Sequence, residues 1–302
     1  METQKQGYPK VVIIILNWNG LDDTIECIES LKRISYPNYA IVVVDNASQG
    51  DDAVQLKKRY GDTISLIIND HNYGVSRGFN SGIRYAMTTN ETDYIIKMNN
   101  DMVVAPDFLD ELIKVAEGDD QIGIVGPKIY YYNFQGASDI IWSAGGTIRP
   151  WAVKICQQVG QGSHDLPKYQ TIRTVDWITG ALHLTKRSVI EAAGLLDPCY
   201  FFGYGDVEYC LRARRHGFRI VYVPTARIWH KVGVSAEKAH RTYAEPLPYY
   251  HLIQHSFPLY IYLYHLGLMP LLILRWALFY LLKRRDRHSL RTFFSEILHR
   301  SG

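Results

Sequence analysis

Three places in this 302-residue chain put oxygen- and nitrogen-bearing side chains at the end of an apolar run. The first is Asn99-Asn100-Asp101, which stops the run Tyr94-Ile95-Ile96-Lys97-Met98. A carboxylate at such a place, without a partner in the adjoining sequence, suits a hard cation that holds a diphosphate. A plain turn is the other reading, since Asn and Asp favour turns. The second is Asp206 with Glu208, delivered by the aromatic loop Asp197-Pro198-Cys199-Tyr200-Phe201-Phe202-Gly203-Tyr204-Gly205 into the first turn of a helix that Gly217 ends. Asp206 reads either as a helix cap or as a general base at the end of an aromatic-walled pocket. Residues two apart on a helix do not share a face, so only one of the two acids faces the chemistry. The third is His230, after Ile228-Trp229, which reads either as a packed side chain or as a ligand at a strand end.

The elements that must position these groups follow from periodicity. Runs 11–16 and 40–44 are continuous, β-branched and apolar, as expected of strands buried on both faces. Run 64–68 is a third strand, the segment ending at Asp101 a fourth, and 122–127 and 218–223 are two more. Between the first two strands, Ile25, Ile28, Leu31 and Ile34 recur at helical spacing behind Asp22-Asp23-Thr24. Pro106 reads as the first position of the helix after Asp101. This alternation predicts an α/β fold with a doubly wound, mostly parallel sheet and helices on both faces, whose ligands bind beyond the carboxyl ends of the strands. The glycine- and amide-rich stretch 69–82 leads into a helix and permits close backbone approach to a ligand. Segment 130–173 reads as hairpins and a flexible flap over a site.

Composition sets bounds. With 47% hydrophobic and 21% charged residues the chain is globular, and a formal charge of +3 is too small for a general nucleic-acid binder. From Arg275 onward seven Lys or Arg face two acids, so the basic surplus lies at the C-terminus. Cys27, Cys156, Cys199 and Cys210 show no metal-ligand spacing, and residues 1–10 lack the apolar core of a secretory signal, which points to reduced thiols in a cytosolic compartment. No formal charge occurs from Pro246 through Leu274, and 257–282 carries only Arg275. Its prolines and tyrosines favour in-plane or re-entrant helices over a full crossing, with Lys283-Arg284-Arg285 and Arg287 against anionic headgroups. Packing on the catalytic domain or on another subunit is the competing reading.

The ordered motifs resemble glycosyltransferase family 2, of GT-A fold, and most nearly its rhamnosyltransferase-like branch. They are N-W-N-G at 17–20, V-D-N-A-S at 44–48, N-Y-G-V-S-R-G-F-N-S-G at 72–82, N-N-D at 99–101, T-G-A at 179–181, the aromatic loop to Asp206, and W-H at 229–230. The resemblance implies a catalytic domain over 11–235, with a nucleotide-sugar-binding half (11–127) and an acceptor half (128–235). Around it lie a short N-terminal tail (1–10) and a hydrophobic, basic helical segment (236–302) associated with the cytoplasmic face of a membrane. It implies an inverting, metal-dependent transfer from a UDP- or dTDP-linked sugar to a glycan or polyprenyl-linked acceptor. Asp206 is then the base, and Asp101 and His230 hold Mg²⁺ or Mn²⁺. Donor contacts fall to Asn17, Asn19, Asp45, Asn72, Gly74, Arg77, Asn80, Asn99 and Asn100, and acceptor contacts to Trp177, Thr179, Gly180, Phe202, Tyr204 and Glu208. Two positions depart from the family pattern: Asn99 stands where many members carry a first Asp, and Gly205, or a one-residue deletion, replaces the Glu that commonly precedes the base, which leaves Asp206 and Glu208 both open. A sugar-nucleotide-binding relative without catalysis, a nucleotidyltransferase and a membrane adaptor are the alternatives; self-association is left open.

Overall fold

The computed structural model describes residues 7–88, 91–134, 136–152, 154–231 and 246–278. Its centre is four parallel strands in the order β4-β1-β2-β3: β1 (Val11–Asn17), β2 (Tyr39–Asp45), β3 (Ser65–Ile68) and β4 (Tyr94–Asn99). Parallel neighbours require crossovers, supplied by α1 (Leu21–Leu31), α2 (Asp52–Tyr60) and α3 (Gly74–Met87). Val12 and Ile14 of β1 pack with Phe79 and Ile83 of α3. Val11, Ile13 and Ile15 face the other way, toward Cys27 and Ile28 of α1 and Phe108 and Leu112 of α4 (Phe108–Glu117). Both faces are covered, which is why the run reads as unbroken rather than alternating. Asn17, Asp45 and Asn99 consequently end on one edge of the sheet.

Beyond β4 antiparallel strands enter the sheet, although most of its paired residues run parallel, as expected. β11 (Leu182–Lys186) lies antiparallel between β4 and β6 (Ile122–Tyr131), and β12 (Arg219–His230) is parallel to β6. The chain reaches β11 from the far end of the 130–173 excursion, so it returns along β4 without a crossover helix. Short strands β5 (Met102–Val104), β7 (Ile141–Ser143) and β10 (Arg173–Thr174) also add antiparallel pairings. β8 (Gly146–Ile148) and β9 (Cys156–Gln158) form the separate hairpin of that excursion. β12 runs through Pro224, where sequence reading broke it in two; register shifts between Val223 and Arg227 absorb the missing N–H.

Helices α5 (Arg187–Ala193) and α6 (Gly205–Arg215) follow β11, and α7 (Pro246–Ser256) and α8 (Leu259–Leu278) come after β12. Tyr249, Leu252 and Ile253 of α7 and Ile261 of α8 are buried in the core cluster that contains Phe79 and Val207. His265 is fully buried, with Nε2 2.7 Å from the Pro150 carbonyl and Nδ1 3.1 Å from the Tyr249 hydroxyl. Leu259, Tyr260, Leu263, Leu271 and Leu274 of α8 stay exposed. Among the described residues no helix is long and apolar enough to cross a membrane. The basic cluster 283–287 and segments 1–6 and 232–245 lie outside the described residues.

Candidate active site

The strand-end loops are tied to one another before they meet any ligand. Ser48 accepts the Asn19 N–H at 2.9 Å, and its hydroxyl donates to Asp45 Oδ2 at 2.7 Å. Asn17, fully buried, donates to Asp45 Oδ2 at 2.8 Å and Asp52 Oδ2 at 3.0 Å. Asn100 donates to Thr24 Oγ1 at 2.9 Å and the Gly20 carbonyl at 3.1 Å, and a Cβ at Gly20 would stand 2.4 Å from its amide nitrogen. Asn46 donates to Asn72 Oδ1 at 2.9 Å, so Asn72 too is held inside the framework. Asn19 (φ 52°) and Ala47 (φ 62°) adopt left-handed backbone at these two loops, where such strain often marks function.

In the N-N-D element, β4 ends at Asn99 and the chain turns, so the three side chains diverge. Asn99 lines a cavity of about 350 Å³, while Asn100 turns back to the scaffold. Asp101 meets His230, because β5 pairs antiparallel with the end of β12 and sets Met102 opposite His230. Asp101 Oδ1 lies 3.2 Å from His230 Nε2, both residues are buried, and the Trp142 ring stands edge-on to the imidazole. Asn100 and Asp101 form the turn between β4 and β5, as the plain-turn reading of Asp101 expects. Asp101 Oδ1 and His230 Nδ1 have no hydrogen-bond partner among the described residues, despite the short Oδ1–Nε2 approach. A buried carboxylate oxygen and imidazole with unused capacity fit a divalent cation.

His230 and Asn99 line the same cavity as Asp206, Trp177, Thr179, Gly180, Phe202 and Tyr204. Asp206 is in the first turn of α6 but does not cap it; Tyr204, in left-handed backbone (φ 57°), occupies the cap position. Asp206 Oδ2 accepts the Gly180 N–H at 2.5 Å and Oδ1 the Val207 N–H at 2.9 Å, which fixes the carboxylate. Glu208 points elsewhere. It forms a bidentate pair with Arg212, at 2.8 and 2.9 Å, and lines a separate groove with Arg77, Asn80 and Arg212. Within that groove wall, Asn80 holds both polar backbone atoms of Leu196. Gly74 (φ 75°) lies against Phe201, where a Cβ would be 2.5 Å from the ring. The proposed donor and acceptor residues are thus divided among cavity, groove and framework.

Sequence reading passed over Lys97. It is 4% exposed, in the middle of β4, and lines the cavity with its Nζ 3.3 Å from the Gly180 carbonyl and 5.2 Å from the Phe79 ring centroid. Burial holds its pKa below the ordinary lysine value, opposed by the nearby Asp206 charge. The signal was available: a lone cation inside Ile95-Ile96-Lys97-Met98 is out of place in a buried strand. Tyr200, another lining residue, keeps a buried hydroxyl with no hydrogen-bond partner among the described residues.

Residues 9–244 match the family described as glycosyltransferase like family 2. The chain belongs to that family. Its curated relatives include rhamnosyltransferases: an N-acetylglucosaminyl-diphospho-decaprenol L-rhamnosyltransferase of Mycobacterium tuberculosis is 27% identical over 57% of this chain and 55% of that protein. The match spans well under the full length of the curated relatives, 25%, 62% and 55% of three of them. Among solved structures, GalNAc-T7 with UDP, GalNAc and Mn²⁺ superposes with a TM-score of 0.60 at 17% identity, over 75% of this chain and 44% of that one. The Pyrobaculum calidifontis mannosyltransferase PcManGT, with GDP-Man and Mn²⁺, gives 0.57 at 17% identity over 98% and 76%. These likenesses establish the GT-A fold.

Proposed function

We propose that the protein transfers a sugar from a nucleoside-diphosphate sugar to a hydroxyl of a glycan or lipid-linked acceptor, with inversion at the anomeric carbon. The observation that carries this reading is the shared cavity: Asp206 and His230, the latter 3.2 Å from Asp101, open on one space walled by Trp177, Phe202 and Tyr204. Asp206 takes the proton from the acceptor hydroxyl as its oxygen bonds to the anomeric carbon, and the bond to the diphosphate breaks. The two backbone N–H groups on Asp206 hold the carboxylate for that transfer. Asp101 and His230 would hold Mg²⁺ or Mn²⁺, which when bound neutralises charge on the departing diphosphate. Lys97 is a positioning residue, holding the Gly180 peptide whose N–H meets Asp206. Glu208 is engaged with Arg212 and outside the cavity, which favours Asp206 over it as the base.

A lipid-linked acceptor is supported by the name of the mycobacterial relative and by the exposed apolar residues of α8. We place the C-terminal segment on a membrane surface on the same grounds. Liposome flotation of the full chain and of a variant carrying Leu259→Ser, Leu263→Ser, Leu271→Ser and Leu274→Ser on the exposed side of α8 tests this; equal recovery in the soluble fraction removes the membrane from the proposal.

The activity itself is tested with a panel of UDP- and dTDP-linked sugars, with Mg²⁺ or Mn²⁺, with and without polyprenyl-diphosphate glycans. Metal-dependent nucleoside diphosphate release that rises with one acceptor is expected. Donor binding without release points to a non-catalytic relative, and no donor response anywhere in the panel overturns the reading.

A further inference from the structure

A second set of ligating side chains lies apart from the catalytic cavity. Asp197 and Cys199 sit two residues apart on the loop that leads into α6, and His251 reaches them from α7. A ligand atom from each lies within 4.8 Å of the others. Asp197 Oδ2 is 3.2 Å from His251 Nε2. In a tetrahedral site with bonds of about 2.0–2.1 Å, two such ligands are separated by about 3.3 Å. The Cys199 N–H donates to Asp197 Oδ1 at 2.8 Å, which orients the carboxylate with its other oxygen toward the imidazole. Asp197 and His251 are each 29% exposed and Cys199 is more open, so an ion can enter from solvent. None of the three lines the cavity that holds Asp206.

We infer that Asp197, Cys199 and His251 form a zinc site that fastens the aromatic loop to α7. Thiolate, imidazole and carboxylate together are the donor set of a borderline divalent ion, unlike the all-hard set of Mg²⁺, and water completes the fourth position. On binding, the Cys199 thiol gives its proton to solvent and the metal–sulfur bond replaces one from the aquo ion. The ion would stiffen one wall of the cavity, because Tyr200, which lines it, stands edge-on to the His251 ring at 5.2 Å. The site stands or falls independently of the transferase reading.

The test uses the full chain, freed of metal by a chelator and titrated with Co²⁺. A thiolate-to-cobalt absorption band saturating at one equivalent and erased by Zn²⁺ is expected. It should vanish in Cys199→Ser and His251→Gln and persist in Asp101→Asn. Zn²⁺ should also raise the Tm of the parent and leave that of Cys199→Ser unchanged. Absence of the band in the parent, or its survival in Cys199→Ser, overturns the assignment.

Discussion

Gly180 donates its backbone N–H to Asp206 Oδ2 at 2.5 Å, and the carbonyl of the same residue accepts from Lys97 Nζ at 3.3 Å. One glycine therefore spaces the proposed base from a buried cation. A Cβ there would lie 3.3 Å from Asp206 Oδ2 and 3.1 Å from Lys97 Nζ, tighter than ordinary contact. Gly180→Ala should fold normally yet lower kcat on the order of 10- to 100-fold through displacement of the carboxylate. Steady-state kinetics beside calorimetric donor binding check this, and an unchanged kcat removes the spacing argument.

The two acids of α6 give opposite phenotypes under the proposed mechanism. Asp206→Asn should keep donor affinity and lose about 10²–10⁴-fold in turnover. Glu208→Gln should keep turnover but weaken the Arg212 pair, lowering stability by about 1–3 kcal/mol, as for a hydrogen-bonded charge left partly unpaired. Urea unfolding and nucleotide-release assays on both variants decide the matter. Strong turnover loss in Glu208→Gln with an active Asp206→Asn would reverse the assignment.

The scaffold was legible because its strands are buried on both faces: runs such as 11–16 admit few other readings. The antiparallel return of β11 was not, since direction depends on which end of a long excursion meets the sheet. The region of the site was readable from strand-end acids, but side-chain direction was not. Asn99, Asn100 and Asp101 are adjacent in sequence and point to a cavity, a scaffold and a histidine. Asn17, Asn72 and Asn80 read as ligand contacts in a one-dimensional motif, and only the structure shows that their amide groups also tie neighbouring loops together. Asp197, Cys199 and His251 carry no spacing signal at all, because α7 brings the imidazole to the loop only in three dimensions.

Lys97 yields a stability prediction with a definite sign. Burial lowers its folded-state pKa, so between that lowered value and the ordinary one of about 10.4 the unfolded chain binds more protons than the folded one. Stability from this residue is thus least below the lowered pKa and recovers as pH rises through the window. Lys97→Met removes the buried charge and should be more stable than the parent at neutral pH, while losing activity. The margin should narrow at alkaline pH. Denaturant midpoints at two pH values test it; a margin that stays constant would falsify the linkage.

The Asp101–His230 pair is placed by backbone pairing, since Met102 opposes His230 across β5 and β12. Under the proposed cation binding, the requirement should therefore respond both to the two proposed ligands and to what packs on them. Asp101→Asn should abolish Mn²⁺-dependent donor binding, and His230→Gln should weaken it without removing it, because donor oxygens and water complete the shell of a hard ion. Trp142→Ala leaves both ligands in place but removes the ring whose centroid stands 4.3 Å from that of His230. That variant should need more Mn²⁺ for half-maximal binding while reaching the same plateau, as expected when a ligand's support is loosened. Calorimetry of donor binding with Mn²⁺ and with a chelator reads all three. Equal donor affinity in the two conditions for the parent protein would remove the cation from this pair, whatever the variants do.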